Sequence, residues 1–306
     1  MPEQLKTKII NQLRELHSDL PICNIVSLKG GYLNHVFQMN NNSDSVIVWF
    51  SEDRTSPKLS RQLLAIKMLK NYFGSLIPDV YASNQTSIGC YYMMNKLKGN
   101  NLEQSLPYLT TNEQINFFEL MGNLLGNIHS IRSENQVGYL ENMQNITWKD
   151  WLNSYITSLI QELLSIETKC RNQDWLMVQK SLIAHLNYID EPINYSFLHG
   201  DYYPGNILHD NGFISGLLDF EWSLFGDPLY DFRVMEVFIF GDFPYREVFY
   251  NSYRKTRKLP NDFYKTIAFY TKVYQLELIL VAYRFFEKNH YFIETMEPEL
   301  INWASK

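Results

Sequence analysis

The chain has 306 residues with 45% hydrophobic and 15% aromatic content, enough apolar material to bury a substantial core in one large domain or two lobes. A formal net charge of −6 and a pI near 5.7, without a dense basic run, argue against a general nucleic-acid binder and are compatible with cationic small molecules. Cys23, Cys90 and Cys170 give neither a disulfide framework nor a zinc spacing. The start MPEQLKTKIINQLRELHSDL lacks the apolar core of a secretion signal, and no stretch approaches ~20 apolar residues, so a cytoplasmic protein without a membrane span is expected.

Residues 1–95 read as a strand-rich lobe with one embedded helix. A short N-terminal helix precedes strands over Tyr32–Met39 and Val46–Phe50, a helix over Leu59–Phe73, and strands near Asp79–Ala82 and Ile88–Met94. Residues 96–306 read as a larger, mainly helical part. Thr111-Asn-Glu-Gln114 has the pattern of a capping box before an amphipathic run ending near Ile131. Helical periodicity returns over Trp148–Ile166, Asp174–Leu186 and Asp262–Lys288.

The segment FLHGDYYPGNILHDNGFISGLLDFEWSLFGDPLYDF, residues 197–232, interrupts the helices and carries the most specific signal in the chain. Asn206–His209 and Phe213–Leu218 read as short strands, and Asn211-Gly212 supplies the positive φ angles of a two-residue hairpin turn. In that register Asn206 pairs near Leu217, and Asn206 and Asp219 emerge at the same open end. Two oxygen ligands at one point suit magnesium, while Asp201, five residues before Asn206 across Pro204 and Gly205, suits a base for an acceptor hydroxyl. His199 reads either as catalytic or as a turn-holding histidine. Asp227, in Gly-Asp-Pro, reads as a cap of the segment that follows. The competing reading of the whole run is a surface hairpin with scattered acids.

HGDxxxxN, DFE and GDPxxD together resemble the aminoglycoside phosphotransferase and choline kinase superfamily, small-molecule kinases with a protein-kinase-like fold. The likeness to antibiotic-inactivating bacterial members, including the hygromycin B kinase type, is greatest around DNGFISGLLDFEWSLFGDPLYDF and TWKDW. The resemblance implies an α+β bilobal fold, with a small antiparallel-sheet N-lobe and a larger helical C-lobe. It also implies Asp201 as base, His199 as support of the catalytic loop, Asn206 and Asp219 as Mg2+ ligands, and ATP or GTP as phosphate donor. Gly30 and Gly31, which alone read as a simple turn, become candidates for a phosphate-covering loop. Met94, Asn95 and Lys96 become candidates for adenine contact. The expected partners are nucleotide and a small acceptor, with no nucleic acid and no membrane, in a monomer or homodimer.

One departure stands out. The family's strand after the glycine loop usually presents a Lys or Arg, paired with a Glu on the next helix; here Trp49 and Gln62 fall at those positions. A lone buried charge would be costly without its partner, so joint absence is physically coherent. Lys29, Arg54, Lys58, Arg61 and Lys67 are candidate replacements, each with the alternative of an ordinary surface charge. Glu221, Asp231, Glu236 and Asp242 are candidates for an acidic acceptor pocket, and Tyr274 and Glu277 for an acceptor-facing stripe alongside Tyr270, although such stripes usually pack in cores. An aminoglycoside, a choline-like amine, a sugar or an amino acid all fit as acceptor. A kinase-like binding or regulatory protein without turnover is the alternative class.

Overall fold

The computed structural model describes residues 3–16, 24–28, 34–40, 45–54, 56–192, 194–287 and 290–306. By its contacts the chain divides into two compact units, residues 1–108 with 204–221, and residues 109–203 with 222–306. The sequence places the division near residue 95 and keeps the hairpin with the helical part. The contacts place it at Tyr108 and return the hairpin to the first unit.

The first unit begins with α1 (Glu3–Leu16), β1 (Asn24–Leu28), β2 (His35–Asn40), β3 (Ser45–Ser51), α2 (Lys58–Phe73), β4 (Val80–Gln85), β5 (Cys90–Asn95), β6 (Asn100–Asn101) and α3 (Leu102–Ser105). Five strands pair antiparallel in the order β1-β2-β3-β5-β4. The central strand β3, Ser-Val-Ile-Val-Trp-Phe-Ser, is buried from Ile47 onward, which is why it reads as a continuous apolar run and not as an alternation. On α1, Ile9 and Leu13 lie one turn apart and pack into a core with Phe37, Met39, Val48, Phe50, Tyr91 and Met93.

The second unit opens with α4 (Thr111–Ile128), β7 (Arg132–Ser133), β8 (Gly138–Tyr139), α5 (Trp148–Ser165), α6 (Asn172–Leu186) and β9 (Tyr195–Leu198). The chain then joins the first unit as the hairpin β10 (Ile207–Asp210) and β11 (Phe213–Leu217), where β10 also pairs with β6. Back in the second unit come β12 (Leu224–Gly226), α7 (Phe232–Phe238), α8 (Arg246–Thr256), α9 (Phe263–Phe285) and α10 (Glu297–Ala304). Four short strands form a sheet in the order β7-β9-β12-β8. Its helical core is aromatic, with Phe117, Phe118, Trp148, Trp175, Tyr250, Tyr253 and Tyr270 fully buried. The capping box at α4 uses Thr110 and Glu113, one residue before the expected Thr111. No helix among the described residues is long and apolar enough to cross a membrane.

Candidate active site

Strand β9 ends at Leu198, and its continuation His199-Gly200-Asp201 is held from behind by Asp231. The Asp231 carboxylate accepts the backbone N–H of His199 and of Gly200, each at 2.7 Å, and pairs with His129 Nε2 at 3.1 Å. All three contacts are buried, so each saves a desolvated donor from going unpaired. Burial pushes the Asp231 carboxyl up, but the His129 hydrogen bond and the charges of His129, His199 and Arg233 bring it below the ordinary carboxylate range. Burial holds His129 below the ordinary imidazole value against the pull of Asp231. Asp231 is fully buried, so it braces the loop and does not line an acceptor pocket.

His199 is also fully buried. The backbone N–H of Asp201 donates to its Nδ1 at 3.3 Å, which makes the ring a splint for the turn that presents Asp201. Arg233 adds a third restraint, donating to Gly200 O at 2.8 Å and to Tyr230 O at 2.7 Å. Its guanidinium lies 3.7 Å from the Tyr230 ring centroid and 4.9 Å from that of Tyr274. Burial raises the Tyr274 hydroxyl pKa well above its ordinary value, and the charges of Asp201 and Glu277 raise it further. The Tyr274 hydroxyl on α9 therefore lies within reach of the charges of both Asp201 and Glu277. Glu236 is engaged by both arms of Arg246 and by the Tyr250 hydroxyl.

In the first unit the hairpin forms around Asn211 (φ +48°) and Gly212 (φ +82°), as the Asn-Gly turn predicts. The ladder slips by one at Ser215, because His209 faces Ile214 while Leu208 faces Gly216. Ile207, not Asn206, therefore opposes Leu217, and the Leu218 N–H donates to Asn206 O at 2.9 Å. That bond closes the open end of the hairpin one residue before Asp219. Asp219 sits at φ +61°, a left-handed conformation that costs a non-glycine residue about 1 kcal/mol or more. The side chains of Asn206 and Asp219 offer an amide oxygen and a carboxylate, hard oxygen donors of the kind magnesium takes alongside water and phosphate. Among the described residues no group of three or more His, Cys, Asp or Glu is arranged to hold a metal ion by itself.

At the expected clamp positions, Trp49 stacks on Tyr92 at 5.4 Å with planes 26° apart. Gln62 donates to the Tyr92 hydroxyl at 2.9 Å and accepts the Phe220 N–H at 2.6 Å. Arg61, expected on the surface, is buried and donates to Glu221 O at 2.8 Å. Lys58 Nζ meets Glu221 Oε1 at 2.7 Å, and Asn34 donates to Glu221 Oε2 at 2.6 Å. Glu221 is thus engaged through both carboxylate oxygens inside the first unit. Arg54 and Lys67 are exposed. Lys29, Gly30 and Gly31 lie outside the described residues. The N–H groups of Asn95 and Lys96 donate to Asp79 O and Ser45 O, and Met94 lies in the ladder between Ile47 and Val80, so those two amide donors are occupied by the sheet. Sequence reasoning missed His129, Arg233 and the gripping role of α2. A polar cleft of about 540 Å³, lined by Glu134, Asn145, Asp150 and Tyr195 among others, lies in the second unit and includes none of these site residues.

This arrangement of elements defines a protein-kinase-like α+β fold, and solved structures share it along nearly their whole length. A gentamicin complex of APH(2″)-IIa matches with TM-score 0.72 at 17% identity, covering 95% of both chains. A provisional fructosamine-3-kinase from Haemophilus somnus 129PT matches with TM-score 0.71 at 16% identity, covering 97% of both chains. A thermostable mutant of the aminoglycoside phosphotransferase APH(4)-Ia matches with TM-score 0.70 at 16% identity, covering 96% of this chain and 98% of that one. Such similar values do not single out the hygromycin type. No curated protein sequence matches the chain. Residues 24–256 match the model of the phosphotransferase enzyme family, APH, and the chain belongs to that family.

Proposed function

We propose that the protein is a small-molecule O-phosphotransferase that moves the γ-phosphate of ATP or GTP to a hydroxyl of a small acceptor. The observation that carries this reading is the hairpin whose open end is closed by the Leu218 N–H on Asn206 O, with Asp219 the next residue, in a family of phosphotransferases. Asn206 and Asp219 hold Mg2+, which when bound offsets negative charge on the phosphate oxygens. Asp201, on a loop pinned by Asp231, His199 and Arg233, orients the acceptor hydroxyl and takes its proton. The acceptor oxygen then bonds to the γ-phosphorus while the bond to the β–γ bridging oxygen breaks, and the nucleoside diphosphate leaves.

Tyr274 and Glu277 are the acceptor-binding candidates that the electrostatics favour, because the Tyr274 hydroxyl lies within reach of the charges of both Asp201 and Glu277. An amine-bearing acceptor suits them: an aminoglycoside-type antibiotic, an amino sugar or a choline-like amine. Gentamicin and fructosamine stand in the names of proteins with this fold, and both compound classes belong in the screen.

The test is transfer from γ-labelled ATP and GTP, with and without Mg2+, to aminoglycosides, fructosamines, choline and simple sugars. The native protein is expected to label one class, and Asp201→Asn to lose at least ~100-fold of that rate. Equal rates for the two proteins with every acceptor would overturn the proposal. The second reading, a ligand-binding protein without turnover, is favoured by the neutral Trp49–Tyr92 stack where the phosphate-clamping cation is expected. Nucleotide-induced stabilisation with no transfer to any acceptor would select it.

A further inference from the structure

Helix α2 grips the chain immediately after the metal-ligand position Asp219, and it does so with three side chains within one turn and a half of helix. Gln62 Oε1 accepts the N–H of Phe220 at 2.6 Å, Arg61 donates to the carbonyl of Glu221 at 2.8 Å, and Lys58 pairs with the Glu221 carboxylate at 2.7 Å. The first of these matters most. The direction of the Phe220 N–H is set by the ψ angle of Asp219, so a side chain that fixes this N–H fixes the peptide from which the Asp219 carboxylate springs. Asp219 needs such a restraint, because at φ +61° its backbone sits in a region that L-residues leave unless neighbours hold them.

Gln62 is itself held. It is 2% exposed, and its amide nitrogen donates to the Tyr92 hydroxyl at 2.9 Å, with Trp49 stacked on the Tyr92 ring. The run Trp49, Tyr92, Gln62, Phe220 N–H therefore ends on the metal-ligand segment and contains no formal charge. A glutamine offers the acceptor oxygen without the buried charge that would demand a cation in return. The loss of a cation at position 49 is then tolerated, because nothing at position 62 requires it.

We propose that Gln62 is a positioning residue for metal binding, orienting Asp219 through the Phe220 amide. This rests on Asn206 and Asp219 being the metal ligands, and the experiment separates the two ideas. Mn2+ is titrated into the full chain and followed by electron paramagnetic resonance, with whichever nonhydrolysable ATP or GTP analogue raises the native melting temperature. Native protein that binds no Mn2+ overturns the ligand assignment and this inference with it. Given native binding, Gln62→Met, which removes the acceptor, and Gln62→Asn, which stays polar but falls a methylene short, are each expected to weaken Mn2+ affinity by roughly 10- to 100-fold. Asn also serves if the Met variant does not fold. A folded Met or Asn variant with native Mn2+ affinity overturns the inference while leaving the ligand assignment in place.

Discussion

Asp231 receives the backbone N–H of Gly200 at 2.7 Å across 31 residues of chain, so the loop that presents Asp201 is fixed by a residue well downstream of it. The same carboxylate serves His199 N–H and His129. Asp231→Ala strands these buried donors together, and a loss of about 3–5 kcal/mol in unfolding free energy is expected. Asp231→Asn keeps one acceptor oxygen and should lose less. Urea unfolding measures both, and an alanine variant within about 1 kcal/mol of native would remove Asp231 from this role.

Gly200 and Gly212 share a backbone conformation but not an environment. Both lie at positive φ, +85° and +82°. A Cβ on Gly200 would meet Trp222 O at 2.1 Å, whereas one on Gly212 meets nothing within 4 Å. Gly212→Ala should therefore cost only the left-handed penalty of about 1–2 kcal/mol. Gly200→Ala must also move backbone beside Asp201, and it is expected to cost clearly more and to abolish phosphotransfer. Parallel unfolding curves with an activity assay decide it, equal losses for the two variants being the contrary result.

The parts of the fold and site legible in the sequence are those written in local chemistry. The hairpin followed from Asn211-Gly212, and the central strand from its run of β-branched and aromatic residues. The register slip did not, because the bulge at Ser215 is fixed by tertiary surroundings, its hydroxyl donating to Lys98 O. The α4 cap was off by one for a simpler reason. Thr110 and Thr111 are adjacent, and only the carboxylate of Glu113, accepting both the Thr110 N–H and its hydroxyl, selects the first. The restraints on the site were hidden altogether. Asp231 with His129, and Lys58 with Glu221, are 102 and 163 residues apart, and pairings at such separations leave no periodic trace. Gln62 was visible as a missing acid, but its partner Phe220 was not.

Lys58 and Glu221 form an ion pair with side chains 18% and 7% exposed, buried enough for the loss of one partner to be felt. Lys58→Met leaves the Glu221 carboxylate with Asn34 as its remaining side-chain hydrogen bond at this end, and a loss of about 1–3 kcal/mol is expected. Glu221→Gln in the same protein should recover most of it, since a neutral amide does not need the cation. A double-mutant cycle measured by thermal unfolding tests this. A coupling energy below about 0.5 kcal/mol would show the pair to be energetically idle.

Asp227 gives the pH dependence. It is buried, accepts the Leu229 N–H at 2.9 Å and the Tyr270 hydroxyl at 2.7 Å, and Trp148 in turn donates to Tyr270. Burial pushes its carboxyl up from 3.8 to about 6, against the pull of those hydrogen bonds. Because the folded value exceeds the unfolded one, the folded protein takes up this proton more readily than the unfolded chain does. The cost of keeping Asp227 ionised is therefore fully present above about pH 6 and is relieved as the pH falls toward 4. Relative to Asp227→Asn, which has no proton to gain, the native protein should become more stable on acidification from pH 7 to pH 4, by on the order of 3 kcal/mol. Urea unfolding of both proteins at half-unit steps of pH measures the difference directly and cancels the carboxylates common to the two. Curves that stay parallel across that range would place the Asp227 carboxyl at an ordinary value and its network among neutral-pH hydrogen bonds of no titrational consequence.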